Sequence, residues 1–377
     1  MRLHLVALPH AHVSRDVTVC AFTTKTAKFL TMMTALGWEI VLYGGERSDA
    51  PPGTTLVPLF SDEEMHEWYG DGDANMLPIV AGSWSSTDFS YRTINARAIG
   101  EIMVRYEQGD LVLLTGGLAM KPIHQAMPPG VTVEWAAGYD GVMISDRSME
   151  RHPHICFESN AWRHFMYGKW GQATGRFFDS VIPNFFAPEE WSLHKHKDDY
   201  LCFVGRMIAR KGVQIAAEIA HELKMPIYFA GSGVSHSAEG LIECHDGTRL
   251  EGDVHYVGTV GVAERNELMG KARALLVPTC YIEPFGAVAV EGPLCGTPAV
   301  STDFGAFVDT VPDELRFTTL AEGVRATERA MQLKPSKVRK EALDRFSLDA
   351  VGPRYAEWFN RLGSLFERGW YAGTSRA

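Results

Sequence analysis

The sequence predicts an α/β protein made of two doubly wound halves. Three observations carry that reading. Short apolar runs of the kind buried parallel strands require alternate with segments of helical spacing, first over residues 3–45 and again over 200–302. At 377 residues the chain is long for one core and suits two domains of ordinary size. Between the halves, Pro183-Asn184-Phe185-Phe186-Ala187-Pro188 gives way to His194-Lys195-His196-Lys197-Asp198-Asp199, a shift from apolar to charged bracketed by prolines.

In the first half, residues 3–8 form the opening strand. Residues 27–36 place Phe29, Leu30, Met33 and Leu36 on one helical side, with Gly37 set to stop the helix. Residues 39–45 then complete a βαβ unit. The intervening loop holds His10, His12, Arg15 and Asp16 just past a strand's carboxyl end, where open α/β sheets take their ligands. It suits contacts to a substrate as well as it suits a solvated polar loop; His-x-His alone makes no metal site. Residues 61–92 give no clear pattern, and Asp71-Gly72-Asp73 there reads as a polar turn. Trp84, Phe89 and Tyr91 suit stacking on a sugar or base, and suit cover for the core edge better. A helix over 94–106, a strand over 110–115 and a strand over 131–135 follow. The last leads into Gly138-Tyr139-Asp140-Gly141, whose Tyr139 and Asp140 suit either an acceptor site or a self-bonded turn. A strand over 154–159 and a helix over 160–167 end the half.

The second half opens with a strand at 200–206 and an amphipathic helix over 213–223. Strands at 226–233 and 254–259, a helix over 264–274, a strand at 274–277, a helix over 287–294 and a strand at 297–302 continue the alternation. Residues 320–333, 343–346 and 351–370 read as helices, the last amphipathic and aromatic-rich, and 334–340 as a solvated basic run. The predicted domains are 1–186, 187–349 and a terminal helical segment, 350–377.

Composition excludes several classes. Hydrophobic content of 46% with 22% charge is that of a globular protein rather than a disordered one. Net charge is −10, with 14 Lys and Arg against 20 Asp and Glu over 1–183, and 22 against 26 over 184–377. Neither half is a basic module, so binding nucleic acid by bulk electrostatics is disfavoured. The six cysteines show no C-x-x-C and no framework spacing, which fits a reducing compartment. The N-terminal apolar run is too short for a signal peptide, and no run reaches the ~18–20 apolar residues of a spanning helix. The expected location is the cytoplasm.

Two stretches carry chemistry. In Phe203-Val204-Gly205-Arg206, followed by Lys211-Gly212, the glycine lets the backbone approach a ligand while Arg206 and Lys211 converge on a diphosphate. Cations there stabilise a leaving diphosphate as its charge grows. In Glu283-Pro284-Phe285-Gly286-Ala287, followed by Glu291, a strand, a loop and a helix start succeed one another. A helix N-terminus is a natural place for phosphate, and a carboxylate on either side of it can accept hydrogen bonds from hydroxyls of what the phosphate carries. That geometry suits a sugar nucleotide. A bare Glu-x7-Glu also arises by chance as two solvated carboxylates.

Both stretches closely resemble the donor-site motifs of GT-B glycosyltransferases of family 4, the glycosyl transferases group 1. The resemblance implies two Rossmann-like domains facing across a cleft, an N-terminal acceptor domain and a C-terminal sugar-nucleotide domain, with the last helix crossing back to the first. It implies that Arg206 and Lys211 hold the donor diphosphate and that Glu283 holds hydroxyls of the transferred sugar. The amides of Phe285, Gly286 and Ala287 would hold the distal phosphate and Glu291 the ribose, with Gly205, Gly233 and Thr259 lining the donor site. By the same resemblance Glu283, Lys211 and Arg206 are the catalytic set, and His10, His12, Arg15, Asp16, Tyr139 and Asp140 the acceptor-side candidates. Val6-Ala7-Leu8-Pro9-His10, Gly138-Tyr139-Asp140-Gly141 and Phe157-Glu158-Ser159-Asn160-Ala161-Trp162 are similar to a family-4 subgroup frequent in phage genomes.

The activity so implied is retaining transfer of a sugar from a nucleotide donor, such as a UDP- or GDP-sugar, to an acceptor hydroxyl, with no metal and no other cofactor. The acceptor would be a glycan, a lipid-linked saccharide or a hydroxylated DNA base, and nucleic acid enters only in that last role. A catalytically silent module binding a sugar nucleotide or a partner, and a sugar-nucleotide epimerase, are the alternatives. The two glutamates are not read as a glycosidase pair.

Overall fold

The computed structural model describes residues 1–17, 20–70, 85–135, 143, 152–173, 176 and 178–367. Two compact units divide the chain: Met1–Glu158, Arg163–Phe185 and Val351–Ala377 in one, Ser159–Trp162 and Phe186–Ala350 in the other.

Unit 1 is built on β1 (Leu3–Val6), α1 (Ala21–Ala35), β2 (Ile40–Gly45), β3 (Thr54–Phe60), α2 (Asp62–Tyr69), α3 (Phe89–Arg105), β4 (Leu111–Leu114), α4 (Lys121–Ala126), β5 (Thr132–Glu134), β6 (His154–Phe157), α5 (Asn160–Trp170) and β7 (Ser180–Val181). Its strands pair in parallel in the order β3-β2-β1-β4-β5-β6-β7. Every residue of β1, β2, β4 and β6 is buried, as a parallel sheet covered on both faces demands.

Helix α1 starts six residues before its apolar spacing predicts, through Ala21-Phe22-Thr23-Thr24-Lys25-Thr26. Tertiary contact overrides the poor local propensity. Lys25 is only 9% exposed, its Nζ donates to Glu158 at 2.6 Å, and it lies 5.2 Å from the centre of the Trp135 ring. Gly37 ends the helix from a φ of +81°, its N–H donating to Thr34. The unreadable stretch after residue 60 opens with α2, fixed by a capping box of Ser61 and Glu64.

Unit 2 comprises β8 (Leu201–Val204), α6 (Val213–Leu223), β9 (Ile227–Ala230), β10 (Val234–Ala238), β11 (Leu241–Cys244), β12 (Arg249–Glu251), β13 (Val254–Tyr256), α7 (Val262–Lys271), β14 (Ala274–Val277), α8 (Val288–Leu294), β15 (Ala299–Thr302), α9 (Phe307–Thr310), β16 (Arg316–Phe317), α10 (Leu320–Ala330) and α11 (Pro335–Phe346). Its six-stranded sheet is parallel throughout, in the order β13-β9-β8-β14-β15-β16. Strands β10, β11 and β12 form a separate antiparallel meander that the sequence pattern does not announce. The basic run at 334–340 lies mostly in α11 and keeps Lys334, Lys337 and Lys340 exposed as expected, but Arg339 turns inward and donates to the carbonyls of Trp191 and Leu294.

The last helix, α12 (Leu348–Glu367), belongs to unit 1 from Val351 onward. Its Tyr355 packs edge-on against Phe29 at 5.4 Å, and Trp358 donates its indole N–H to the Phe178 carbonyl. No helix among the described residues is long and apolar enough to cross a membrane.

Candidate active site

Both sheets reverse strand order at one place, between β1 and β4 in unit 1 and between β8 and β14 in unit 2. Loops leaving the carboxyl ends of such a strand pair diverge and open a crevice, the usual ligand site of an open parallel sheet. In unit 2 the loop after β8 carries Gly205, Arg206, Arg210 and Lys211, and the loop after β14 carries Tyr281 and Glu283.

The two loops touch through their backbones. Gly212 has a φ of +78°, and a Cβ there would stand 1.9 Å from the Pro278 carbonyl oxygen. The Cys280 N–H donates to the Arg210 carbonyl at 2.9 Å. This places Lys211 Nζ 2.6 Å from Glu283 Oε2, with the side chains 19% and 16% exposed. The Tyr281 hydroxyl donates to the same Oε2, also at 2.6 Å. No described residue donates to Oε1. Lys211 and Arg210 lie over the Tyr281 ring, 4.9 and 5.3 Å from its centre. Burial first, and the bond to Glu283 second, push the Tyr281 phenol well above its usual range, so it stays protonated. Arg206 is exposed, with no ion pair among the described residues, yet close enough for its charge to act on that phenol.

Glu283 is also held by its backbone. Its carbonyl accepts from the Ala306 N–H at 3.1 Å, and a Cβ on Gly305 would fall 2.8 Å from its nitrogen. Ser159 Oγ, from the short segment of the first half that packs with unit 2, donates to the Pro284 carbonyl at 2.7 Å. At the start of α8 the amides of Phe285, Gly286 and Ala287 donate to no described residue. Glu291, the fourth residue of α8, is 9% exposed and lies 3.5 Å from the Arg265 guanidinium, which itself stacks 5.6 Å from the Trp191 ring centre.

Comparison with known proteins fits this geometry. Residues 198–332 match the family model described as glycosyl transferases group 1. A curated relative, the phosphatidyl-myo-inositol mannosyltransferase of Propionibacterium freudenreichii, is 24% identical over 196 residues, 48% of this chain and 48% of its own length. The chain thus spans about half the length of the curated relatives it matches. Among solved structures, AviGT4, a glycosyltransferase involved in avilamycin A biosynthesis, superposes with a TM-score of 0.60 at 21% identity, covering 96% of this chain and 98% of that one. Anabaena HepE, solved in complex with UDP and glucose, does so with a TM-score of 0.56 at 14% identity, covering 96% and 99%.

The fold is GT-B.

Two GT-B sheets leave the remaining sequence candidates in different settings. Gly233 follows β9, its carbonyl accepting from the His245 N–H at 2.8 Å, and Thr259 is exposed just after β13. In unit 1, His12 is 9% exposed, stacks 5.8 Å from Phe60, and its Nε2 bonds to Asp62. Burial pushes the Asp62 carboxyl up, but hydrogen bonds from His12 and Arg47 outweigh it and hold the group below the usual carboxylate range. His12 therefore anchors the loop after β1 to α2. His10 is packed edge-on to Tyr69 at 6.3 Å, and burial pulls its imidazole down to about 4. Arg15 is half-buried and Asp16 exposed on the same loop. Tyr139, Asp140, Asp71-Gly72-Asp73 and Trp84 lie outside the described residues.

Four residues of this candidate site escape sequence reasoning: Tyr281, Arg210, Arg265 and Ser159. Tyr281 sits inside the most telling stretch, two residues before Glu283, yet nothing in its spacing marks it. Arg265 and Ser159 meet the donor-site segments only through the fold.

Proposed function

We propose that this protein is a glycosyltransferase that moves a sugar from a nucleoside diphosphate donor to an acceptor hydroxyl with retention of anomeric configuration. The observation that carries the reading is the Lys211–Glu283 pair at the unit 2 switch point. A carboxylate with one free oxygen, an exposed arginine and three unbonded amides at a helix start lie on adjoining loops there. Glu283 Oε1 accepts from hydroxyls of the transferred sugar, Arg206 and Lys211 neutralise the diphosphate, the amides of Phe285, Gly286 and Ala287 hold its distal phosphate, and Glu291 takes the ribose.

The chemistry follows from those roles. As the bond from the anomeric carbon to the phosphate oxygen breaks, negative charge grows on the leaving diphosphate, and Arg206 and Lys211 stabilise it more than the bound donor. The leaving phosphate oxygen takes the proton of the acceptor hydroxyl, which forms its bond to carbon on the face that the phosphate leaves. These protein cations supply the charge, so the reading includes no metal ion.

The test is a thermal-shift screen with UDP, GDP, ADP, dTDP and CDP, each with and without EDTA, followed by NMR of the anomeric linkage formed from the matching sugar nucleotide. One nucleotide raising the melting temperature irrespective of EDTA, and a product with the donor's configuration, are expected. Failure of all five to bind refutes the reading; binding without transfer or hydrolysis marks a silent module.

A further inference from the structure

We propose that Tyr281 is a positioning residue that sets which oxygen of Glu283 faces the sugar. The inference rests on the donor-site reading above and goes beyond it, since it concerns how the carboxylate is oriented rather than that it binds.

A glutamate's last torsion is broad and nearly two-fold, so a carboxylate held by one flexible donor presents its two oxygens almost interchangeably. Lys211 is such a donor: a point charge on a four-carbon stem with three rotatable N–H groups. Tyr281 is not. Its ring is tied to the loop two residues before Glu283, and its single O–H points at Oε2 from 2.6 Å. The Lys211 ammonium reaches the same oxygen at 2.6 Å. Two donors on one oxygen and none from the described residues on the other leave Oε1 as the free acceptor. The Glu283 backbone is held as well, its carbonyl accepting from the Ala306 N–H at 3.1 Å. The terminal torsion is a freedom that Lys211 alone leaves open, and the phenol removes it.

The ring has a second effect. Lys211 and Arg210 sit over its face at 4.9 and 5.3 Å. An aromatic face attracts cations, so Tyr281 gathers on one side of Glu283 the positive charge meant for the diphosphate. Removing the hydroxyl and removing the ring should therefore fail differently.

The experiment compares wild type, Tyr281→Phe, Tyr281→Leu, Glu283→Ala and the Tyr281→Phe/Glu283→Ala double variant. Steady-state kinetics are measured with the sugar nucleotide that wild type turns over, starting with UDP-glucose, and the dissociation constant of the matching nucleoside diphosphate is measured by calorimetry. Tyr281→Phe keeps the platform and loses one hydrogen bond to a charged group, so kcat should fall about tenfold with donor KM and diphosphate affinity within about twofold of wild type. In the Glu283→Ala background the same change should alter kcat less than twofold, because the phenol acts through that carboxylate. Tyr281→Leu should also weaken diphosphate binding at least threefold. Wild-type kcat in Tyr281→Phe, or an equal drop in both backgrounds, overturns this inference and leaves the donor-site reading standing. A wild type inert toward every sugar nucleotide overturns both.

Discussion

Replacing Lys211 with Met tests the centre of the site, because it deletes the ammonium and keeps the stem that crosses the Tyr281 ring. The ammonium serves two partners: Glu283 at 2.6 Å and, by the proposed function, the leaving diphosphate. The Glu283 bond is already made in the free protein and counts equally before and during the reaction, so the loss in kcat comes from the contact to the leaving diphosphate, about 1.5–3 kcal/mol for a hydrogen bond to a charged group. At about 1.36 kcal/mol per tenfold that is roughly 10–10² in kcat. The pair is 16–19% exposed rather than dry, which favours the lower end, about tenfold. Stability should suffer much less, because Glu283 keeps the Tyr281 hydrogen bond and some access to water. The assay is steady-state transfer with the matched donor, beside calorimetric binding of its nucleoside diphosphate and a melting curve. A Lys211→Met protein that folds and retains kcat within about threefold of wild type would sink the donor-site assignment.

Three further outcomes follow from the same structure. Glu291→Ala should raise the donor KM about tenfold and leave kcat within about threefold, since a ribose contact is equally strong before and during the reaction; an unchanged KM argues against the ribose role. Gly212→Ala should destabilise unit 2 by at least about 2 kcal/mol in urea, because strained backbone meets a clash 1.9 Å from the Pro278 oxygen. Gly37→Ala, at a φ of +81° with nothing within 4 Å, should cost only about 1 kcal/mol, and equal losses would refute the close approach. Burial raises the Glu134 carboxyl to about 8 from a usual value of 4.5, so the folded state holds a proton that the unfolded chain has lost between those values. That stability contribution is complete below about pH 4.5 and disappears as pH rises through about 8, and Glu134→Gln should flatten this limb of a melting-temperature profile against pH.

Much of the fold is legible because parallel strands advertise themselves. Ala274-Leu275-Leu276-Val277 reads as a strand and is β14, and the amphipathic spacing of residues 213–223 matches α6 to the residue. What escapes has tertiary causes. β3 alternates weakly and carries Pro58, yet pairs with β2 through six residues. The early turns of α1 contain three threonines, which helix propensity disfavours; the Lys25–Glu158 bond that offsets them joins residues 133 apart. The basic run ahead of Leu343 looks solvated until Arg339 finds two carbonyls deep in unit 2. Of the site, Arg206, Lys211, Glu283 and Glu291 are visible because local spacing is part of their chemistry. Ser159 is not, since its meeting with Pro284 spans 125 residues.

The two units share one winding but hold their switch-point loops differently. After β1, His12 is spent on Asp62 and Phe60, and His10 is packed against Tyr69, so this loop works as a clasp between β1 and α2. After β8 the corresponding loop is placed largely by backbone contact, with Lys211 reaching across to Glu283: Gly212 lies against Pro278 so closely that no Cβ fits, and Cys280 bonds to the Arg210 backbone. Among the described residues, that backbone contact leaves Arg206 with no part in holding the loop. That difference explains why a histidine-rich loop at a strand's carboxyl end says little by itself, while a glycine on the loop beside a glutamate's informs. A polar side chain announces only that it needs a partner, which the rest of the protein can supply; a glycine that no other residue can replace announces that something must come close.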